Sequence, residues 1–262
     1  MFKTFIALSL FLLAGSPRVH AETFLFDFNN TADANGYVGG PGAWNAYAVP
    51  AEVNGSTIAN ITGDATKGYT LDYTGTMKDS SNGNSNTFNN SNGGPSWVTT
   101  DGSLANTAAA ADYFFTNNGS NTEFTLIIEN LTPGDTLSLD LWTTRVSSSS
   151  ARGFYSYSLD GTNFFGLNVL EKDGTPSTAN NWDTKTTLNQ LYSAESQGNN
   201  NGRYMNISSL TVGASGTLHL NVNDNTVSEW APLGAMRLTV IPEPSTFAML
   251  IVAGMGLLIT RQ

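Results

Sequence analysis

The chain of 262 residues is predicted to be all-β, an antiparallel β-sandwich of the jelly-roll kind, and three observations lead there. Apolar and polar residues alternate with a period of two in several short stretches, the spacing that turns one side of a strand to a core and the other to water. Clusters of Gly, Pro, Asn and Asp separate these stretches and supply the backbone angles that turns demand. No convincing amphipathic helix interrupts them, which argues against helical crossovers and so against a parallel sheet.

In chain order, Lys3 precedes an apolar run from Phe5 to Leu13 and then Val19-His20-Ala21, with small or β-branched residues where a signal peptidase reads the chain. The run is too short to cross a bilayer. Residues 1–21 therefore read as a secretory signal peptide, cleaved after Ala21 by signal peptidase to leave Glu22 first. Residues 22–240 form the expected β-sandwich domain. Its clearest strands are Thr136 to Trp142, with Leu137, Leu139 and Leu141 on one face, Gly216 to Asn223, and Ala235 to Val240. Weaker candidates are Thr23 to Phe28 (Phe24, Phe26 and Phe28 inward), Tyr69 to Tyr73, Glu123 to Ile128, Phe154 to Leu159 and Leu210 to Val212. Leu104 to Asp112 reads as a short helix. Lys78 to Pro95 and Gln197 to Gly202 are almost wholly Asn, Ser, Gly and Thr, lack the apolar content to pack, and are expected to be exposed loops.

Two turns have a clear mechanism. Asp160-Gly161, after the alternating Tyr155, Tyr157 and Leu159, is a hairpin signal. In Leu131-Thr132-Pro133-Gly134-Asp135, Pro133 presets φ and Gly134 supplies a corner of positive φ. The segment from Phe124 to Trp142 resembles the strand, Leu-x-Pro-Gly turn, strand unit of β-sandwich ectodomains, carbohydrate-binding modules among them. That resemblance implies a sandwich, not an activity.

Charge and composition exclude several functions. Without Lys3, Arg18 and Arg261 the basic residues number 8, and without Glu243 the acidic ones number 20, so the domain carries a formal −12. That balance argues against nucleic acid and anionic lipid as partners. With no cysteine, thiol catalysis is excluded and stability comes from burial alone, which a domain of this size supplies. Clusters of His or Cys for zinc or iron are absent, and past the signal His219 is the only histidine. It falls on the polar face of its strand, where exposure to solvent is expected. No Gly-x-Ser-x-Gly elbow accompanies it.

The tail is the most specific feature. Ile241-Pro242-Glu243-Pro244-Ser245-Thr246 leads into Phe247 to Ile259, 13 residues without a charge, followed by Arg261. As a helix this run is about 20 Å long, against the ~30 Å of a bilayer core. Prolines 242 and 244 fix φ and remove two donors, holding the approach extended, as a processing enzyme's cleft requires. Residues 241–262 resemble the PEP-CTERM sorting signal of Gram-negative bacteria through Pro242, Glu243, Pro244, Ser245, Thr246, the apolar helix and Arg261. A single Arg261 stands where such tails end in a basic cluster, so the stop-transfer charge is weak. The resemblance implies an exosortase as partner, a membrane-anchored precursor held by the short transmembrane segment, and a destination at the cell surface or in the extracellular matrix.

For the domain itself, the residues point to a non-catalytic protein that binds polysaccharide. An indole face stacks on the C–H face of a sugar, and Trp44 and Trp97, flanked by Gly39-Gly40-Pro41-Gly42 and Gly93-Gly94-Pro95, are the expected exposed platforms. Trp142 ends a strand and is assigned to the core. A jelly-roll glycoside hydrolase or polysaccharide lyase is the enzymatic alternative, with its carboxylate pair drawn from Glu123, Glu129, Asp140, Glu171, Glu195 and Glu229. A purely structural or adhesive surface protein is the third. No cofactor is implied beyond a structural calcium at Asn223-Asp224-Asn225 or Glu171-Lys172-Asp173-Gly174, whose oxygens are hard ligands in loops.

Overall fold

The computed structural model describes residues 20–28, 44–47, 52–59, 68–79, 114–116, 122–142, 154–171, 173–176, 184–185, 190–192, 204–224 and 231–243. Its strands are β1 (Glu22–Phe28), β2 (Trp44–Tyr47), β3 (Ser56–Thr57), β4 (Thr70–Gly75), β5 (Met77–Asp79), β6 (Phe114–Thr116), β7 (Glu123–Glu129), β8 (Thr136–Trp142), β9 (Phe154–Ser158), β10 (Phe165–Gly166), β11 (Asn168–Leu170), β12 (Thr184–Lys185), β13 (Gln190–Tyr192), β14 (Tyr204–Thr211), β15 (Leu218–Asn223), β16 (Pro232–Leu233) and β17 (Ala235–Ile241).

Two large sheets face each other. One runs β11-β14-β8-β17-β1-β2 and the other β12-β13-β9-β15-β7-β4-β3, with β10 added on β9; β16-β6-β5 is a small third sheet. The eight strands of five or more residues divide four and four, and the chain changes sheet at each step between them except from β4 to β7. This is the all-β jelly roll that the alternation predicts. One pairing departs from it: β2 lies parallel to β1.

The alternating leucines explain the layers. Leu137, Leu139 and Leu141 of β8, Met236, Leu238 and Val240 of β17, and Phe24, Phe26 and Phe28 of β1 meet Leu71, Leu126, Ile128, Leu218, Leu220 and Val222 of the opposite sheet. Aromatic rings join the sheets: Phe24 and Tyr69, just ahead of β4, lie 5.4 Å apart, and Phe28 and Phe114 of the small third sheet lie 5.5 Å apart. The Leu-x-Pro-Gly turn carries the chain from β7 in one sheet to β8 in the other, an arch and not a hairpin. Gly134 takes φ +95° there, and Leu131 drops into the core.

The polar face of the first sheet is less solvated than alternation implies. Leu25 and Asp27 are buried as well as Phe24, Phe26 and Phe28, so β1 is covered on both sides. Asp140 is buried because partners stand on both neighbouring strands. Arg237 opposite it on β17 donates twice to Oδ2 (2.8 and 2.6 Å), and Asn206 opposite it on β14 donates to Oδ1 at 2.6 Å. A buried carboxylate so paired avoids the cost of an isolated charge. Trp142 is buried as expected, but its register with Ala235 puts it on the side of the sheet away from the leucines. Lys78, expected in a loop, belongs to β5. The segments 104–112 and 197–202 lie outside the described residues, as does the apolar run 247–259.

Candidate functional site

β9 and β10 form the hairpin that Asp160-Gly161 announces, and their cross-strand pairing sets Phe165 opposite Tyr157. Along β9, Tyr155 and Tyr157 share the side facing between the sheets, beside Val222 and Leu220 of β15. Tyr155 is deep, its hydroxyl donating to the carbonyl of Pro232. Tyr157, two residues nearer the strand end, is half-buried against the core. Phe165 packs on it with ring centroids 5.8 Å apart at 38°, a tilted pair of favourable geometry. Yet Phe165 remains 47% exposed. A large apolar ring held rigid and half in water marks a contact surface more than a packing one.

The turn after β9 supplies the polar half. Oδ1 of Asp160 accepts from the Ser158 hydroxyl and from the backbone N–H groups of Thr162 and Asn163, each at 2.8 Å, while Oδ2 accepts from Asn163 Nδ2 at 2.7 Å. These donors, the Asn163 backbone N–H foremost and then its side chain, Thr162 and Ser158, hold the Asp160 carboxyl well below the usual carboxylate range. Gly161 takes the φ of +72° that the Asp-Gly turn requires, and the His219 ring lies 3.1 Å from where a Cβ would stand, so a side chain is disfavoured there twice over. His219 is half-buried in that position, and burial lowers its pKa while Asp160 and Glu129 act in the opposite direction.

Tyr157, Leu159, Asp160, Asn163 and Phe165, with Leu210 from β14 of the facing sheet, line a pocket of about 290 Å³. The Ser215 hydroxyl steadies its wall by donating to the Leu159 carbonyl at 2.6 Å. The chemistry is that of a shallow amphipathic cleft: two aromatic faces and two leucines on one side, an anchored amide and carboxylate on the other.

The sequence candidates fall elsewhere. Trp44 is 3% exposed and cannot be a platform. The preceding glycines and proline suggest a loop, but Trp44 begins β2, and the parallel register with β1 sets it beside Leu25. Trp97 and Pro244 lie outside the described residues, as do Glu195 and Glu229. Ala21 is exposed immediately before β1, and Glu243 is exposed after β17. The backbone N–H of Glu243 donates to Asp135 Oδ1 at 3.1 Å, and its carboxylate lies over Gly134, 2.7 Å from where a Cβ would be. Pro242 is partly buried.

The acidic candidates are dispersed into separate local networks. Glu123 accepts from Asn221 and Asn223, and Asp140 is bound to Arg237. In the two calcium candidates, Asp224 is buried with its carboxylate taking the Thr122 N–H (3.0 Å) and hydroxyl (2.5 Å), and Asp173 caps Thr175 at 3.0 and 2.7 Å. Among the described residues no three acidic or histidine side chains gather in a way that would hold a metal ion. Asp224 and Asp173 thus each anchor a loop through these bonds.

Reading the sequence for tryptophan overlooks Tyr157, Asn163 and Phe165. Their signal is the run Tyr155-Ser156-Tyr157-Ser158-Leu159-Asp160-Gly161-Thr162-Asn163-Phe164-Phe165: alternating aromatics, an Asp-Gly turn, then a second aromatic strand whose pairing must face a ring to a ring.

No family model matches the chain, and no curated protein does. Among solved structures, it is similar to the carbohydrate-binding module TmCBM61 in complex with β-1,4-galactotriose, at 14% identity over 64% of this chain and 86% of that one, TM-score 0.29. Xyl-CBM35 in complex with a glucuronic acid-containing disaccharide matches at 13% identity over 48% and 70%, TM-score 0.23. The enzymatically active domain of tailspike protein 4 from bacteriophage CBA120 matches at 13% identity, over 77% of this chain but 22% of that one, TM-score 0.25.

Proposed function

We propose that the protein is an exported, non-catalytic glycan-binding protein of the cell surface or extracellular matrix, and that Tyr157, Phe165, Asp160 and Asn163 form its binding site. The observation that carries this is the half-exposed Phe165 ring, tilted on Tyr157 at the mouth of a 290 Å³ pocket beside an anchored Asp-Asn pair. Sugar rings need that combination: an aromatic face for their C–H bonds and fixed polar atoms for their hydroxyls. A binding role is favoured over hydrolysis because a glycosidase acid must hold its proton near neutral pH. The carboxylate in this pocket is held ionised by four donors. A glycan array with the domain Glu22 to Val240 tests the reading; binding that survives Phe165→Ala, or none by the wild type, would refute it.

The route follows from the termini. Signal peptidase removes residues 1–21, and an exosortase then recognises Pro242, Glu243 and Pro244 in a precursor held by its apolar tail. Replacing all three by Ala is expected to leave an unprocessed, membrane-retained precursor in cell fractions. A mutant reaching the surface with wild-type mass would end the sorting hypothesis.

A further inference from the structure

We infer that the pocket takes a neutral sugar unit and that Asp160 excludes uronates and other anionic sugars. This rests on the glycan-binding reading and deepens it. The polar atoms with capacity left are the evidence. Both amide hydrogens of Asn163 are committed, to Asp160 Oδ2 at 2.7 Å and Thr162 Oγ1 at 3.2 Å, so the atom it has left for a ligand is its acceptor, Oδ1. Asp160 Oδ2 accepts one bond and keeps capacity for another, while the Tyr157 hydroxyl can both accept and donate. A sugar hydroxyl donates to such acceptors. A sugar carboxylate cannot, and it would meet a fixed negative charge with no Lys, Arg or His among the described lining residues to offset it.

Two further features agree. The chain carries a formal net charge of −10, which repels acidic polymers before contact. The apolar wall of Leu159, Leu210, Tyr157 and Phe165 suits the C–H face of one ring, and 290 Å³ lies at the small end of ligand clefts, roughly 300–1,000 Å³. The site is therefore a seat for a single sugar unit and not a groove along a polymer.

The test uses the exported full-length protein and a panel of neutral hexose oligosaccharides, each paired with its C6-oxidised uronate counterpart. Wild type is expected to bind a neutral member about tenfold more tightly than its uronate partner. Asp160→Asn keeps an acceptor for the Thr162 and Asn163 N–H groups while removing the charge, and should narrow that ratio severalfold. Thr162→Lys, which leaves Asp160 intact and adds a cation at the exposed rim, should narrow it too and keeps the test open if Asp160→Asn fails to fold. Equal or tighter uronate binding by wild type, or a ratio unmoved in a folded variant, overturns the inference. Wild type binding no member of either set defeats the glycan reading beneath it instead.

Discussion

Truncating Trp44 and Phe165 should have opposite effects, because Trp44 is buried and the proposed glycan contact falls on the exposed Phe165. Trp44 is 3% exposed. An indole buries about 150–250 Å², roughly 4–6 kcal/mol at ~25 cal/mol per Å², and measured Trp→Ala losses in cores run about 3–5 kcal/mol. In a domain of this size each kcal/mol lowers Tm by about 2–4 °C, so Trp44→Ala should melt roughly 6–20 °C below wild type. Phe165 is 47% exposed and rests mainly on Tyr157. Its removal forfeits a pair worth about 0.5–1.5 kcal/mol, a few degrees at most. Binding should reverse the order: by analogy with stacked bases, losing one aromatic face costs about 1–3 kcal/mol, roughly fivefold to 150-fold in Kd. Calorimetric melts beside affinity electrophoresis in polysaccharide gels read both quantities. If Trp44→Ala melts like wild type but no longer binds, the burial argument and the site assignment are both wrong.

Three smaller perturbations probe the scaffold. Gly134→Ala meets both a φ of +95° and the Glu243 carboxylate at 2.7 Å, so urea unfolding should show a loss of about 1–2 kcal/mol, only partly restored by adding Glu243→Ala. Asn221→Asp replaces a donor 3.3 Å from Glu123 with a second carboxylate; stability should fall by about 1–3 kcal/mol at pH 7. The like charges raise the folded-state pKa, so that loss should shrink as pH drops through it, and a loss independent of pH would contradict the mechanism. His219, one of the two histidines of the chain, should titrate below the usual imidazole value of 6.5 in an NMR experiment. With its folded pKa depressed, the unfolded chain takes the proton first, so stability should decline as pH falls below about 6.5, and His219→Gln should lessen that decline.

The layers were legible because alternation is a property of the strand itself. Leu137, Leu139 and Leu141 must share a side whatever the strand pairs with, and the same holds for Leu218, Leu220 and Val222. Pro133 and Gly134 likewise fix a local corner, and Gly134 takes the predicted positive φ. Pairing partners carry no such local mark. That the Leu131-to-Asp135 turn crosses between sheets, that β2 joins β1 in parallel, and that Asp140 and Asp27 are buried on a nominally polar face all depend on which strands stand alongside. Leu210 to Val212 gave a weak signal because it holds only the last two residues of β14 (Tyr204–Thr211) and the one after it, and the register of β14 shifts between Ile207 and Leu210.

The site was illegible for a related reason. Glycines and prolines beside a tryptophan describe the chain on one side of it and say nothing about what its ring will meet, so Trp44 reads as exposed while its register with Leu25 buries it. Phe165 reads as one more apolar residue until the hairpin sets it on Tyr157 at the edge of the layers. The structure also joins two features far apart in sequence. Leu210 lines the pocket; two residues on, Val212 accepts from Gly134 N–H (3.0 Å) and donates to the Asp135 carbonyl (2.8 Å), and Asp135 in turn holds the Glu243 N–H. The pocket and the Pro-Glu start of the tail therefore sit at one end of the sandwich, linked through the Pro133-Gly134 arch. A strained Gly134 variant is therefore expected to disturb the pocket and the proposed tail processing together, whereas Phe165→Ala leaves the arch intact and should affect binding alone.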